Sequence, residues 1–365
     1  MLNTSDFYRA LHTCGFDFFC GVPDSLLKDL CACITDNTPH HKHIITANEG
    51  NALAVASGYY LATRKPAVVY MQNSGLGNIV NPLLSLTDEA VYQIPALLII
   101  GWRGEPNCPD EPQHIKQGQK TLPLLDVLDI QYDILTDISQ IHKAYAYMLE
   151  HQKPYALVVP KKTFEAYAKK ASSPKYILSR EEAITQIVSL LGKDDAVVST
   201  TGMISRELYE NRLTHEKDFL TVGSMGHASS IALGIALARP EQKVFCFDGD
   251  GAMLMHMGAV PVISSQQLSN FKHIVFNNEA HDSVGAQPTV MGRVDLVKTV
   301  MGMGYEKVFQ VETIDQINDA WSEFYYHQGM CLLEVKVNCG SRKDLGRPKE
   351  KPIDNKISFM NFLNR

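Results

Sequence analysis

Short apolar runs without polar alternation recur from one end of the chain to the other, and they set the fold class. AVVYMQ (67–72), ALLIIGW (96–102), YALVVP (155–160) and KVFCFD (243–248) are of this kind, and CLLEVKV (331–337) is a further strand that ends in alternation. A strand that is apolar on both faces belongs in a parallel sheet with helices on each side. Segments of helical spacing separate the runs, among them 24–35, the alanine-rich 49–63, and 76–86. HIIT (43–46), AVVST (196–200), FLTVG (219–223), HIVFNN (273–278) and KVFQV (307–311) extend the strand series. FDFFC (16–20) opens it, after a helix that Ser5 can cap and Gly15 ends. At 365 residues the chain is long for one domain. The lysine-rich stretch interrupted by Ser-Ser-Pro predicts a linker over 166–177, between domains at 1–165 and 178–365. The expected architecture is α/β, two tandem doubly wound parallel-sheet domains. The tail from Gly340 (GSRKDLGRPKEKP) is polar and basic, and is expected to wrap the surface.

Composition narrows the function classes. Apolar residues at 45% and charged residues at 20% are average for a globular protein, which excludes disorder, coiled coil and collagen. No apolar run approaches the length of a membrane-spanning helix. A net charge of −6 argues against a nucleic-acid surface. MLNTSDFYRALHTCG has polar and acidic residues where a signal peptide needs a basic start and an apolar core. The eight cysteines form no CxxC pair, and Cys31 and Cys33 would point to opposite sides of an extended segment. Cys20 and Cys246 sit in apolar runs and read as core. These features predict a cytoplasmic, reduced protein with neither nucleic acid nor membrane as partner.

The strongest local signal is FDGDGAM (247–253) followed by FNNEAH (276–281). One apolar strand ends in Gly249-Asp250-Gly251, and the next ends in Asn277-Asn278, 28 positions beyond Asp250. A strand–helix–strand crossover takes about 30 residues. The spacing therefore brings Asp250 and Asn278 together at the carboxyl edge of one parallel sheet, where such folds bind ligands. Their oxygens are hard donors suited to Mg²⁺, which commonly keeps a phosphate among its ligands. Glycines beside them let backbone N–H groups approach a phosphate closely. An EF-hand starting at Asp248 would need a carboxylate where Ala259 stands, and neither GxGxxG nor GxxxxGK[ST] occurs. A plain glycine turn is the bland alternative for GDG alone; the second motif at crossover spacing weighs against it.

This pair of motifs resembles the cofactor-binding signature of the thiamin diphosphate-dependent decarboxylase and carboligase family. The likeness covers the whole chain, without the central domain many members have. It implies an aminopyrimidine-binding first half and a diphosphate-binding second half. It implies that Asp250, Asn278 and the Ala280 carbonyl hold Mg²⁺. Gly249, Gly251 and Ala252 would lie against the diphosphate, as would Thr200, Thr201 and Gly202 of STTG (199–202). In GSMGHASS (223–230), Gly223 would accept from the cofactor's amino group and Met225 would brace its bent shape. In the first half, Glu49 of TANEGNALAVASGYY (46–60) matches the family glutamate, which hydrogen-bonds the pyrimidine and promotes proton loss from the thiazolium carbon. Taken alone, Glu49 is an ordinary helix N-terminal acid. QNSG (72–75), with Asn73, is expected to reach the same site.

GVPDS (21–25), QNSGLGN, DEPQH and NNEAHDSVGAQPT further resemble the members that decarboxylate phosphonopyruvate and their sulfopyruvate relatives. Both halves in one chain favour the phosphonate group, since the sulfonate enzyme is often split into two subunits. The implied substrate is a 2-oxo acid bearing a phosphonate or sulfonate. Its anion calls for cationic or hydrogen-bonding partners. Arg103, Lys116, Lys120, Arg293, Arg342 and Arg347 are candidates, with Ser25 of GVPDS and Ser283 just after the Asn pair as further partners, although most basic loop residues are merely solvated. Asp24, His114 and His281 are candidates for proton handling. The family pattern implies a homo-oligomer of at least two chains, in which Glu49 of one meets Asp250 of another. The alternatives are decarboxylation of sulfopyruvate, behind it a carboligase, and outside enzymes a binding subunit without its own catalysis; retention of Glu49 beside both metal motifs speaks against the last.

Overall fold

The computed structural model describes residues 1–170 and 174–365, and the chain divides into two compact units, Met1–Ala171 and Ser172–Arg365. The first unit holds β1 (Phe19–Gly21), β2 (His43–Ile45), β3 (Ala67–Gln72), β4 (Ala96–Gly101), β5 (Gln131–Ile134) and β6 (Tyr155–Val159). They form one sheet in the order β2-β1-β3-β4-β6-β5, all pairs parallel. The second unit holds β7 (Ala196–Ser199), β8 (Asp218–Leu220), β9 (Val244–Gly249), β10 (Phe271–Asn277), β13 (Lys307–Val311) and β14 (Cys331–Lys336). Their order is β8-β7-β9-β10-β14-β13, again all parallel. A small antiparallel pair, β11 (Ala280–His281) with β12 (Gln287–Pro288), stands apart. Within each sheet the sequence of strands is the same: second, first, third, fourth, sixth, fifth. The connection reverses direction between the first and third strands, so each unit has a ligand-accepting crevice beyond the carboxyl ends there.

The doubly apolar runs form the strands because both of their faces are covered. In β3, Val68 and Tyr70 join one apolar cluster while Ala67, Val69 and Met71 join the other. In β9, Phe245 and Phe247 face one layer, Val244 and Cys246 the opposite one. Each large side chain so buried contributes about 1.5–3 kcal/mol. Edge strand β5, QYDI, is partly exposed throughout, and its polar composition hides it from an apolar-run reading.

Helices cover the sheets: α1 (Thr4–Thr13), α2 (Lys28–Asn37), α3 (Glu49–Thr63), α4 (Leu76–Pro82), α5 (Pro112–Val127) and α6 (Gln140–His151) in the first unit. The second has α7 (Arg180–Leu190), α8 (Met203–Asn211), α9 (Ala228–Ala238), α10 (Asp250–Met255), α11 (Ala259–Ser264), α12 (Leu296–Gly302), α13 (Ile314–Tyr326) and α14 (Pro352–Leu363). The 49–63 helix forms over its expected span, capped by the Asn48 side chain, which accepts from the Asn51 N–H.

Four expectations need correction. Asn3, not Ser5, caps α1, by accepting from the Asp6 N–H. The helix expected at 24–35 begins at Lys28, because Asp24 is spent on a turn that receives the Leu26 N–H at 2.8 Å. The 76–86 segment is α4 followed by a π-turn at Leu83–Thr87, since Pro82 cannot donate into a continuous helix. The tail does more than wrap: α14 inserts Phe359 and Phe362 into an apolar cluster of the second unit. Of the expected linker, 171–173 lie outside the described residues. Before them, the Tyr167 N–H bonds Asp29 of α2; after them, the N–H groups of Lys175 and Tyr176 bond Asn338. Cys31 and Cys33 are both buried on α2, and among the described residues no cysteine is in a disulfide. Among the described residues no helix is long and apolar enough to cross a membrane.

One buried group gives the first unit a pH signature. His43 lies against the Tyr70 hydroxyl at 2.8 Å, and burial pushes its imidazole down to about 4. A histidine whose folded value is depressed resists protonation. Its contribution is present above the ordinary value near 6.5 and is lost as pH falls from about 6.5 to about 4, some 3 kcal/mol in all. His43→Gln should therefore flatten the fall in stability across that window in urea unfolding. An equally steep fall would assign the acid sensitivity elsewhere.

Candidate active site

In the second unit the β9–α10 and β10–β11 junctions meet at the carboxyl edge of the sheet, where Gly249 pairs with Phe276. Asp250 opens α10 and is buried, with the Thr289 hydroxyl donating to Oδ2 at 2.6 Å. Burial pushes its carboxyl up to about 7, against hydrogen bonds from Thr289 and from the backbone of Gly251 and Asn278. Asn278 is buried beside it, its Oδ1 accepting from the Ala280 N–H at 3.0 Å. A carboxylate held in this way, with an amide oxygen and a backbone carbonyl close in sequence, fits a hard divalent cation.

Around that pair the residues expected to take a diphosphate form a cradle. The Thr200 Oγ1 is buried and has no hydrogen-bond partner among the described residues. Gly202 adopts a left-handed φ of +95° at the start of α8, and a Cβ there would lie 3.6 Å from the Ser283 hydroxyl. A Cβ on Gly251 would lie 2.9 Å from Nδ1 of His281 and 3.5 Å from the Met225 methyl. A Cβ on Gly249 would lie 4.0 Å from the Thr200 methyl, so Gly249 neighbours Thr200, Gly251 neighbours His281 and Met225, and Gly202 neighbours Ser283. Ala252 is buried, Thr201 and Gly223 half-buried. Burial pushes the His281 imidazole down to about 4, so it is neutral at physiological pH. An orphaned hydroxyl and an open glycine cradle beside a buried acid fit a metal-bound diphosphate.

In the first unit Glu49 is the first residue of α3 and is buried. Its Oε2 accepts from the Asn78 amide at 2.7 Å. Gly75 lies beneath the carboxylate: a Cβ there would fall 2.3 Å from Oε1. Gly75→Ala should leave the sheet intact but displace Glu49, lowering kcat by on the order of a hundredfold, the usual scale for one acid–base group. Unchanged turnover in a folded Gly75→Ala variant would remove Glu49 from the working site.

A second cluster occupies the same edge. Asp24 is fully buried and accepts from Gln72 at 2.6 Å. Arg103 is forked onto Asp110 and donates from a third nitrogen to the Ser25 hydroxyl at 2.8 Å. Burial and the neighbouring Arg103 charge lower the His114 imidazole, whose Nδ1 has no hydrogen-bond partner among the described residues. Asn73 is a brace: its amide bonds the Arg103 carbonyl at 2.7 Å and the Thr121 hydroxyl at 2.9 Å.

The remaining basic candidates are scattered. Lys116 and Lys120 are exposed on α5, and Arg293 is exposed. Arg342 is tied to Glu181, Glu210 and Asp344 on the surface of its own unit. The sequence reading did not single out Thr289, Asn78 or Gly75. All three stand inside quoted segments (AQPT, QNSGLGN), so their nearness to Asp250 or Glu49 was the only missing signal.

Residues 4–125 match the family described as thiamine pyrophosphate enzyme, N-terminal TPP binding domain, and 199–335 match its C-terminal TPP binding domain. The phosphonopyruvate decarboxylase of Streptomyces viridochromogenes is 33% identical, covering 100% of this chain and 95% of that one. That of Streptomyces hygroscopicus is 32% identical, covering 99% and 94%. The sulfopyruvate decarboxylase of Methanosarcina acetivorans is 28% identical, covering 90% and 89%. With both halves matched, and a relative one-third identical along its whole length, the chain belongs to the thiamine pyrophosphate enzymes, among their decarboxylases.

Proposed function

We propose that this chain decarboxylates phosphonopyruvate to phosphonoacetaldehyde and CO₂, using thiamin diphosphate and Mg²⁺. The observation that carries the substrate is the full-length likeness to two phosphonopyruvate decarboxylases, higher in identity and coverage than the likeness to the sulfopyruvate decarboxylase of Methanosarcina acetivorans. Asp250, Asn278 and the Ala280 carbonyl hold the metal. Thr200, Thr201, Gly202, Gly249, Gly251 and Ala252 take the diphosphate, and Gly223 and Met225 the aminopyrimidine. The bound cofactor supplies an electron sink for the pair released as the carboxylate leaves.

The protein's own groups do the rest. Glu49, buried against Asn78, fixes the protonation of the ring nitrogen it meets. In the net reaction one carbon–carbon bond breaks, CO₂ departs and one proton takes its place, so the site must hold a transferable proton. Asp24, His114 and His281 are the groups for that role. His114 is suited by burial, neutrality and an unpartnered Nδ1. The phosphonate stays anionic throughout and is met by Ser25, Arg103, Lys120 and Ser283. In this reading residues 1–165 are the aminopyrimidine-binding domain and 178–365 the diphosphate-binding domain. The enzyme is cytoplasmic and works as a homo-oligomer, with Glu49 of one chain serving Asp250 of another copy.

The test is to supply thiamin diphosphate and Mg²⁺ and compare CO₂ and aldehyde from phosphonopyruvate, sulfopyruvate and pyruvate. Phosphonopyruvate should lead in kcat/KM by at least about tenfold, worth about 1.4 kcal/mol of transition-state discrimination. Equal or faster turnover of sulfopyruvate would replace the substrate and leave the cofactor reading standing.

A further inference from the structure

The loop from Asn278 to Ser283 carries two metal-ligand positions, and the acid between them is held from outside. Glu279 has a left-handed φ of +59°, a conformation that costs a non-glycine residue on the order of 1 kcal/mol and persists only where partners over-determine it. Lys175 Nζ sits 2.6 and 2.5 Å from its two carboxylate oxygens, and the Tyr176 hydroxyl donates to Oε1 at 2.5 Å. Both residues stand in the segment that leads into the second unit. Their backbone N–H groups are pinned to Asn338 Oδ1 at 2.9 and 2.8 Å.

The same segment reaches the far end of the loop. Arg180, buried at the start of α7 and paired with buried Glu207, donates to Asp282 at 2.8 Å. The loop's inner side is tied to the metal-ligand carboxylate: the Glu279 carbonyl accepts from the Thr289 N–H at 2.8 Å, and the Thr289 hydroxyl donates to Asp250. The acids on either side of the Ala280 carbonyl are therefore both clamped by bases from residues 175–180.

We propose that Lys175 and Tyr176 are positioning residues for the metal loop: by holding Glu279 in its left-handed conformation, they aim the Asn278 side chain and the Ala280 carbonyl at the cation. The inference rests on the metal assignment made above. It gives the segment entering the second unit a function beyond connection, since releasing it loosens the site without touching a ligand. Partners in this outer layer typically change metal affinity by about 10–100-fold.

The test uses the full chain with Lys175→Met and Tyr176→Phe combined, and separately Glu279→Gln. Lys175 is mostly exposed, so removing its charge leaves the core alone. Without any cofactor, amide hydrogen exchange over 278–283 should rise on the order of tenfold in the double variant while exchange in β9 stays fixed. In equilibrium dialysis with thiamin diphosphate, the half-saturating Mg²⁺ concentration should rise on the order of tenfold. Glu279→Gln should do the same, adding the double variant to it should contribute little further, and Lys175→Arg should restore most of the affinity. If the wild type binds Mg²⁺ and thiamin diphosphate while the variants bind equally well with unchanged loop exchange, the positioning role is overturned. If the wild type itself binds neither, the metal assignment fails instead. Additive losses from the two lesions would likewise overturn the shared mechanism.

Discussion

Asp250→Asn is expected to weaken Mg²⁺ binding by at least about a hundredfold, roughly 3 kcal/mol, and with it the retention of thiamin diphosphate. Asn keeps the size and the acceptor that Thr289 reaches, so the loss isolates the negative charge. The same change should leave the cofactor-free protein as stable as the wild type or more so. The wild-type carboxylate is buried with no cation to repay its desolvation, which is why it is pushed up to about 7. Function and stability then pull in opposite directions at one residue, as happens where a site is built for a ligand. Equilibrium dialysis measures the first effect and thermal unfolding without metal the second. Metal binding at wild-type affinity in the Asn variant would remove Asp250 from the metal site.

The fold was legible where strands are buried on both faces and obscure where they are not. AVVYMQ forms a strand over the expected residues because a covered parallel strand accommodates such a run. QYDI escaped notice because an edge strand can be polar. The meeting of Asp250 with Asn278 followed from arithmetic alone, since a crossover of that length returns the chain to a neighbouring strand. Contacts made across the sheet edge carry no such arithmetic. Nothing in the spacing announces that Asn78 donates to Glu49, 29 residues away, or that Lys175 closes on Glu279. Charge alone also misleads. Arg103 reads as a free cation in the sequence, yet Asp110 neutralises most of its fork, and what it presents nearby is a donor to Ser25. Arg342 is likewise absorbed by three surface acids.

Glu49→Gln should separate binding from catalysis more sharply than any other single change in the first unit. The amide is isosteric and can still accept from Asn78, so the local packing at the start of α3 is preserved and thiamin diphosphate affinity should stay within a few-fold. What it cannot do is share a proton with the ring nitrogen of the bound pyrimidine. Removing one acid–base group costs about 10²–10⁴ in rate, so kcat should fall by that range while the cofactor remains bound. The direct measurement is hydrogen–deuterium exchange at C2 of the bound cofactor, followed by NMR after acid quench, which reads the proton transfer without any substrate. Exchange slowed by orders of magnitude, with dialysis affinity retained, is the expected pair of results. Gly75→Ala offers an independent lesion of the same group, because it moves the carboxylate instead of neutralising it. If both act through Glu49, the double variant should be little worse than the worse single one, since a group already silenced cannot be lost twice. Wild-type C2 exchange in Glu49→Gln would rule the residue out of its assigned role, whatever happens to turnover.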